Sequence, residues 1–425
     1  MGASFSKQPK HIVFASIGSL GDLHPMIALA LELQRRGHKT TIATSEFYRA
    51  KIERIGLLFH PIGLNLSPED PELIPRIVDL KKGPEFLIRQ LLMPHLRETY
   101  EDLAAVVHDA DLIVAGEIVF PAPLVAEKFQ RKWVSVILSP SSFFSVYDPS
   151  VIAPLPFTKR LHNAPVWIHR TLMSLGKRST RSWAQPVAAL RRELGLSRTR
   201  SPLFEDKYSP YLTLALFSSV LAQPQSDWAA NTVQTGFVFY DKQQYAGETD
   251  PKLQTFLETG EAPIVFTLGS AAVVDAGNFY EESVKVARLL GRRAILLTGK
   301  NTVREVLPDT IAAFGYAPYS EVLPRAACVV HSGGVGTTAQ VLRAGRPQLV
   351  MPYAFDQPDN AARVERLGVA RVIGRGEYSA ARAAAELEPL LHGADYRTRA
   401  AEAAGVIQAE DGLGLSCDAI ENLLR

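Results

Sequence analysis

Two α/β units, each a Rossmann-like parallel sheet with helices on its faces, are the fold class predicted for this 425-residue chain. Three observations predict it. The length accommodates two to three domains of about 150 residues, so either half can bury its own core. Short apolar segments alternate with apolar-periodic helical ones, once from the amino terminus and again in the second half, which is the βαβ signature. Glycine-bearing turns follow strands in both halves, at the strand ends where open parallel sheets bind ligands.

The elements follow in order. A strand is predicted over 11–17, then the turn Gly18-Ser19-Leu20-Gly21, then a helix from about Pro25 to Arg36 closed by Gly37. Further strands are predicted over 40–44, 112–115 and 134–138. The chain between the last two, and again from about 141 to 196, reads as irregular and rich in Pro and aromatics, the kind of insertion that commonly carries ligand contacts. A polar connection over about 223–243 precedes strands at 264–268, 294–297, 328–331 and 348–351. The predicted organisation is one unit over 1–225, a linker over 226–240, a second unit over 241–400, and a terminal helix over 401–425 long enough to pack back towards the first unit.

Apolar residues make up 47% and charged residues 21%, without repeats, as in an ordinary globular protein. Lys plus Arg total 46 against 44 Asp plus Glu, which excludes the concentrated positive field of a nucleic-acid binder. Lys177, Arg178, Arg181, Arg191 and Arg192 form a basic cluster that reads first as a solvated helical face, with peripheral membrane contact left open. Cys328 and Cys417 are far apart and in no ligand spacing, which argues against disulfides and zinc and makes the cytoplasm the default expectation. No apolar run approaches the ~20 residues of a membrane span. Met1-Gly2-Ala3-Ser4-Phe5-Ser6 fits the loose myristoylation pattern and is given no role.

The segment from Val329 to Thr338 puts His331 at a strand end, Gly333, Gly334 and Gly336 in the turn, and Thr337 at the start of a helix. Its physics is anion binding: glycines allow backbone amides close to phosphate oxygens, and a helix start offers unpaired N–H groups and partial positive charge. Gly269-Ser270, after the strand over 264–268, is a weaker version of the same device. Asp356 and Gln357, beyond another strand end, pair a carboxylate with an amide, a good combination for vicinal sugar hydroxyls. Without the phosphate loop nearby, a turn or helix cap would be the alternative.

With these residues in place, the run from Gly315 to Arg363 resembles the donor-binding signature of family 1 glycosyltransferases. The resemblance implies the GT-B fold, inverting chemistry and no catalytic metal or cofactor. It places His331 on the α-phosphate, Gly334, Gly336 and Thr337 on the diphosphate, Ser270 on a phosphate, Asp356 and Gln357 on the transferred sugar, and Tyr316 under the nucleobase. The opening Ile17-Gly18-Ser19-Leu20-Gly21-Asp22-Leu23-His24-Pro25 is similar to the family's first loop, and Asp22 stands where many members have a histidine base. This version resembles bacterial rhamnosyltransferases and sterol glucosyltransferases. The likeness weakens over 65–110 and 150–230, where the family's acceptor pockets vary.

The resemblance implies transfer of glucose or rhamnose from UDP-glucose or dTDP-rhamnose to a lipophilic or aromatic hydroxyl compound such as a phenol, sterol, hydroxy fatty acid or polyketide, with Asp22 as base. An aspartate near a helix start is expected to stay charged and to be a weak base, an effect that burial on acceptor binding would oppose; its other reading is a helix cap. His24 is a second polar candidate on the acceptor side, together with Phe143, Phe144, Tyr147, Trp167 and Trp183, which could equally fill the core. Glu117 lies near the family's base-orienting acid but about a residue out of register. Asp109-Ala110-Asp111 precedes a strand instead of following one, so it is not read as a metal motif. Alternatives are a silent nucleotide-sugar-binding helper, a GT-B epimerase, or a transferase for lipid-linked acceptors.

Overall fold

Seven strands of the first sheet run β1 (His11–Ala15), β2 (Lys39–Thr44), β3 (Leu58–Pro61), β4 (Leu112–Gly116), β5 (Lys132–Ile137), β6 (Leu212–Ala215) and β7 (Thr232–Gln234) along the chain. Six more follow: β8 (Ile264–Thr267), β9 (Ala294–Leu297), β10 (Ile311–Phe314), β11 (Cys328–His331), β12 (Gln348–Val350) and β13 (Ala370–Val372). The computed structural model describes residues 8–65, 67, 70–198, 200–241 and 250–425; Met1–Ser6 and the end of the polar connection lie outside them. The spatial orders are β3-β2-β1-β4-β5-β6-β7 and β10-β9-β8-β11-β12-β13, and the pairings are parallel. Strand order therefore reverses beside β1 and again beside β8. Loops leaving β1 and β4 diverge to opposite faces, as do those leaving β8 and β11, and each divergence opens a crevice at the carboxyl ends of the strands.

Parallel strands are buried on both faces, so they read as short apolar runs. Alternate residues of β1 serve different layers. Ile12 and Phe14 pack with Leu23, Ile27 and Leu33 of the first helix, whereas Val13 and Ala15 pack with Leu103, Ile113 and Trp133 on the opposite face. Strand β6, fully buried, has no counterpart among the predicted elements, and neither have β3, β7, β10 and β13. The latter four are three or four residues long and are held by pairing with a neighbour more than by their own side chains.

The first helix runs Leu20–Arg35, starting five residues before the predicted Pro25. Its cause is a capping box: Ser19 accepts from the Gly21 amide while Asp22, at the third helical position, accepts from the Ser19 amide, so nucleation precedes the proline. The stretch over 141–196 is not irregular throughout. It holds helices Val166–Thr180 and Gln185–Glu193; in the former His169 is the buried residue, with Ile168, Leu172 and Met173 half-buried beside it on the inward face. The expected terminal helix is two, Ala394–Ala409 and Gly412–Leu424, with Asp411 capping the second through the Gly414 amide at 2.9 Å. Cys417 and Ile420 of the last helix join the core beneath the first helix, and Arg36 bonds Asp418 at 2.5 Å and Glu421 at 3.1 Å.

The halves also share an apolar cluster in which Ile137, Phe143 and Phe217 pack with Leu342, Val350 and Val364. Beside it, buried Arg363 on the helix Gln357–Arg366 donates to Asp359 at 2.7 Å and to Asp148 of the first half at 2.5 Å, while Asp359 accepts from the Val151 amide at 2.8 Å. Removing one partner of a buried ionic group leaves the other charges uncompensated. Arg363→Ala is therefore expected to cost about 3–5 kcal/mol, read as a lower thermal unfolding midpoint by circular dichroism; an unchanged midpoint would show that this network does not hold the halves together.

Candidate active site

The loop after β11 is shaped by a histidine and a glycine. His331 is fully buried, donates from Nε2 to Gln348 Oε1 at 2.8 Å, and accepts the Gly333 amide on Nδ1 at 3.0 Å. Burial lowers its pKa to about 4, so the ring is neutral. Both ring nitrogens are thus engaged within the protein, and the side chain fixes the turn at which the α-phosphate contact is expected. Gly333 has φ +85°, and a Cβ there would lie 2.7 Å from Val350 Cγ1, so that position requires glycine.

Gly334 and Gly336 differ. A Cβ at either meets no protein atom within 4 Å, so protein packing does not account for glycine there. They flank the start of the helix Val335–Arg343, whose first amides have no intrahelical acceptor. Thr337 is nearly buried, with Oγ1 close to Gly269, and Ser332 Oγ donates to Leu268 O at 2.8 Å, which ties this turn to the loop after β8. On that second loop Gly269 has φ +70° and Ser270 is exposed. The two loops that diverge beside β8 thus meet at one crevice. Tyr316, 43% exposed, follows β10, three strand spacings or ~14 Å from β11.

Asp356 lies against the same helix start and accepts on Oδ2 from the Val335 amide at 3.1 Å and from Asn360 Nδ2 at 2.7 Å. Its pKa is raised to about 7, chiefly by burial and to a smaller extent by the negative charge of Asp22. Gln357 is buried behind Gly333, its Oε1 accepting the Tyr353 amide at 2.8 Å and the Ala354 amide at 3.3 Å. Asn360, absent from the expected set, is the hub of this corner. It donates to Gly333 O at 3.0 Å and receives Ser139 Oγ of the first half on its Oδ1 at 3.2 Å. Its position one helical turn after Asp356 was the available signal.

Across the crevice, Asp22 Oδ2 accepts the Ser19 amide at 2.8 Å and Ser19 Oγ at 3.2 Å. Gly18, with φ +133°, makes room for it: a Cβ there would lie 2.4 Å from Asp22 Oδ2. The expectation of a strongly charged, weakly basic aspartate is corrected. The Ser19 bonds do favour the carboxylate, but desolvation outweighs them and, with a smaller contribution from Glu117, pushes the pKa up to about 6. Asp22 is therefore both a member of a capping box and a carboxylate of raised basicity. Glu117, at the end of β4, accepts Ser142 Oγ at 2.7 Å and pairs with buried Lys207 at 2.9 Å.

Of the aromatics expected on the acceptor side, Phe144 connects to this wall, its ring 4.7 Å from Lys207 Nζ and 4.9 Å from the Phe204 ring. Phe143 does not: it stacks on Trp228 at 4.1 Å inside the shared core, since its neighbour Phe144 adopts φ +51° and sends the two rings apart. His24, two residues past Asp22, faces elsewhere on the helix, with Lys51 Nζ at 3.2 Å and the Tyr240 ring at 5.3 Å. Tyr147 and Trp167 are 46% and 67% exposed, and Trp183 is half-buried on the turn Arg181–Ala184. Asp111 is used locally, accepting the His11 amide at 2.8 Å.

The comparisons agree with this geometry. Residues 12–101 match the glycosyltransferase family 28 N-terminal domain, and residues 294–411 match the erythromycin biosynthesis protein CIII-like C-terminal domain. The chain is 29% identical to O-mycaminosyltylonolide 6-deoxyallosyltransferase of Streptomyces fradiae, with 96% of each chain covered. It is 26% identical to a sterol 3-beta-glucosyltransferase of Arabidopsis thaliana over 85% of this chain and 57% of that one. Among solved structures, the calicheamicin glycosyltransferase CalG4 superposes with TM-score 0.74 at 19% identity, covering 98% of this chain and 99% of that one. The glycosyltransferase VinC in complex with dTDP gives TM-score 0.68 at 19% identity, covering 97% and 99%. Two parallel-sheet Rossmann-like units of the GT-B architecture, the matched domains at both ends and glycosyltransferase relatives along the whole length make this chain a nucleotide-sugar-dependent glycosyltransferase, similar to members of family 1.

Proposed function

We propose that this enzyme transfers a hexose, with inversion, from a UDP- or dTDP-sugar to the hydroxyl of a lipophilic or aromatic small molecule, with Asp22 as the base. The observation that carries the reading is the apposition of two carboxylates of raised pKa, Asp22 and Asp356, beside a glycine-lined helix start. Each feature meets one requirement of in-line displacement at an anomeric carbon. The amides of Gly336 and Thr337, with the positive end of their helix, take the diphosphate and stabilise the charge that develops as it departs. Asp356, steered by Val335 and Asn360, meets the sugar hydroxyls, and Gln357 shapes the loop that carries it. Asp22 accepts the acceptor hydroxyl proton as the new C–O bond forms. The relatives' names support a deoxysugar and a thymidine diphosphate: a deoxyallosyltransferase, a rhamnosyltransferase of spinosyn, and VinC bound to dTDP. No cofactor is invoked, since the leaving group is met by the chain's own dipoles.

Four outcomes test the reading. Asp22→Asn is expected to lower kcat by about 10²–10⁴-fold while leaving nucleotide affinity nearly unchanged, measured by sugar transfer from UDP-glucose or dTDP-rhamnose to a panel of phenols and hydroxy fatty acids; wild-type turnover would remove Asp22 from the mechanism. The same substitution is expected to stabilise the fold. The native carboxyl holds its proton up to a pKa of about 6, so native stability declines as pH rises from the ordinary ~4 to about 6 and stays lower above it. Asparagine removes that term, worth about 1–3 kcal/mol at neutral pH. Wild-type kcat/KM accordingly falls on the acid side below about pH 6. Gly334→Ala is expected to change stability by less than about 1 kcal/mol, the poorer N-cap being offset by lower entropy of the unfolded chain, yet to weaken donor binding by at least about tenfold, read by calorimetry with UDP and dTDP; equal affinity would place the diphosphate elsewhere.

A further inference from the structure

Residues 149–192 hold eight Lys and Arg and no Asp or Glu. Eight positive charges against an overall +2 leave the rest of the chain at a net −6, so this one segment inverts the sign of the molecule's charge. Lys159, Lys177 and Arg191 are paired with Glu365, Glu205 and Glu127. Arg160, Arg178, Arg181 and Arg192 have no carboxylate partner among the described residues and are exposed.

A solvated helical face would need nothing more, but this segment also exposes its large apolar side chains. Trp167 is 67% exposed, Leu175 58% and Phe157 50%, with Ile152 and Leu155 beyond a third. On the helix Val166–Thr180, Trp167, Arg170, Thr171, Ser174, Leu175 and Arg178 follow three- and four-residue spacing, so the indole and the leucine share one outward face with two guanidinium groups. Exposed Trp and Leu flanked by Arg, on a helix with a single fully buried residue, is the arrangement of an interfacial helix, in which apolar groups enter the acyl boundary and cations meet lipid phosphates. The absence of any acidic residue over 44 consecutive positions favours an anionic bilayer over a neutral surface.

We propose that the segment 149–192 is a peripheral docking surface for an anionic lipid bilayer, seated through Trp167, Leu175 and Phe157 and held by its unpaired arginines. The surface backs directly onto the acceptor wall of the cleft. Lys177 lies 5.7 Å from the Phe204 ring, which packs on Phe144, whose ring meets the Lys207 that bonds Glu117. Docking does not depend on which sugar or acceptor the enzyme uses.

Flotation of the full-length protein with vesicles tests it. Vesicles of phosphatidylcholine with phosphatidylglycerol are expected to carry the protein, with partition falling as salt rises, and phosphatidylcholine alone to carry little. Arg178→Gln with Arg181→Gln is expected to lower partition roughly 30-fold, about fivefold for each basic side chain near an anionic surface. Trp167→Ala with Leu175→Ala is expected to lower it at least about tenfold, with the circular dichroism melting curve unchanged because all four positions face outward. No flotation with anionic vesicles, equal flotation with both compositions, or partition unaffected by both double substitutions overturns the proposal. So does self-association in solution that the Trp167→Ala, Leu175→Ala change abolishes, since the face would then belong to a second copy.

Discussion

Charge held in a poorly solvated crevice is the constraint on which the rest of this molecule depends. Asp22 and Asp356 belong to different sheets, yet each is buried enough to hold its proton more tightly than a free carboxyl does, and Asp356 feels the charge of Asp22. Neither is abandoned: Asp22 keeps its Ser19 donors and Asp356 keeps Val335 and Asn360. Such an arrangement opposes folding and persists only where the surrounding structure dictates it. Here it follows from topology, because strand order reverses beside β1 and beside β8 and the crevices so opened are brought edge to edge.

Holding two crevices together takes more than a linker. The helix Gln357–Arg366 carries Asp356, Gln357 and Asn360 at its start and the Arg363 network further along, so the residues assigned to the sugar and those that lock the halves lie on one rigid element. Asn360 touches both: one side of its amide holds Gly333 of the phosphate loop and the other receives Ser139 from the first half. The last helix adds a second fastening at the opposite end, where Arg36 and His38 meet Glu421 over a shared apolar core. A shift of one half relative to the other therefore bears directly on the position of Asp356, the carboxylate proposed to meet the sugar.

Within the loop after β11 the glycines divide by what surrounds them. Gly333 is dictated by backbone conformation and by the side chain of Val350, whereas Gly334 and Gly336 border space that no protein atom fills. His331 belongs with the first kind: fully buried and neutral, it builds the turn from below. A residue type suited to phosphate contact thus also shapes the turn, which only its two in-protein hydrogen bonds reveal.

What the amino-acid sequence determined by itself is whatever rests on local periodicity and turn chemistry. The strands of 264–267, 294–297 and 328–331, the paired α/β units and the glycine turn at 333–336 are legible because buried parallel strands are runs of apolar residues and tight turns need glycine. Tertiary structure alone decided the rest, since it depends on neighbours distant along the chain. It made Phe143 core and Phe144 wall, turned His24 towards Lys51, spent both nitrogens of His331 on the protein, and left Trp167 and Leu175 of the helix Val166–Thr180 exposed. The basicity of Asp22 belongs to the same group. A sequence places the carboxyl at a helix start, which favours its charged form, but the amount of water that reaches it is a property of two sheets brought together, and desolvation is the larger effect.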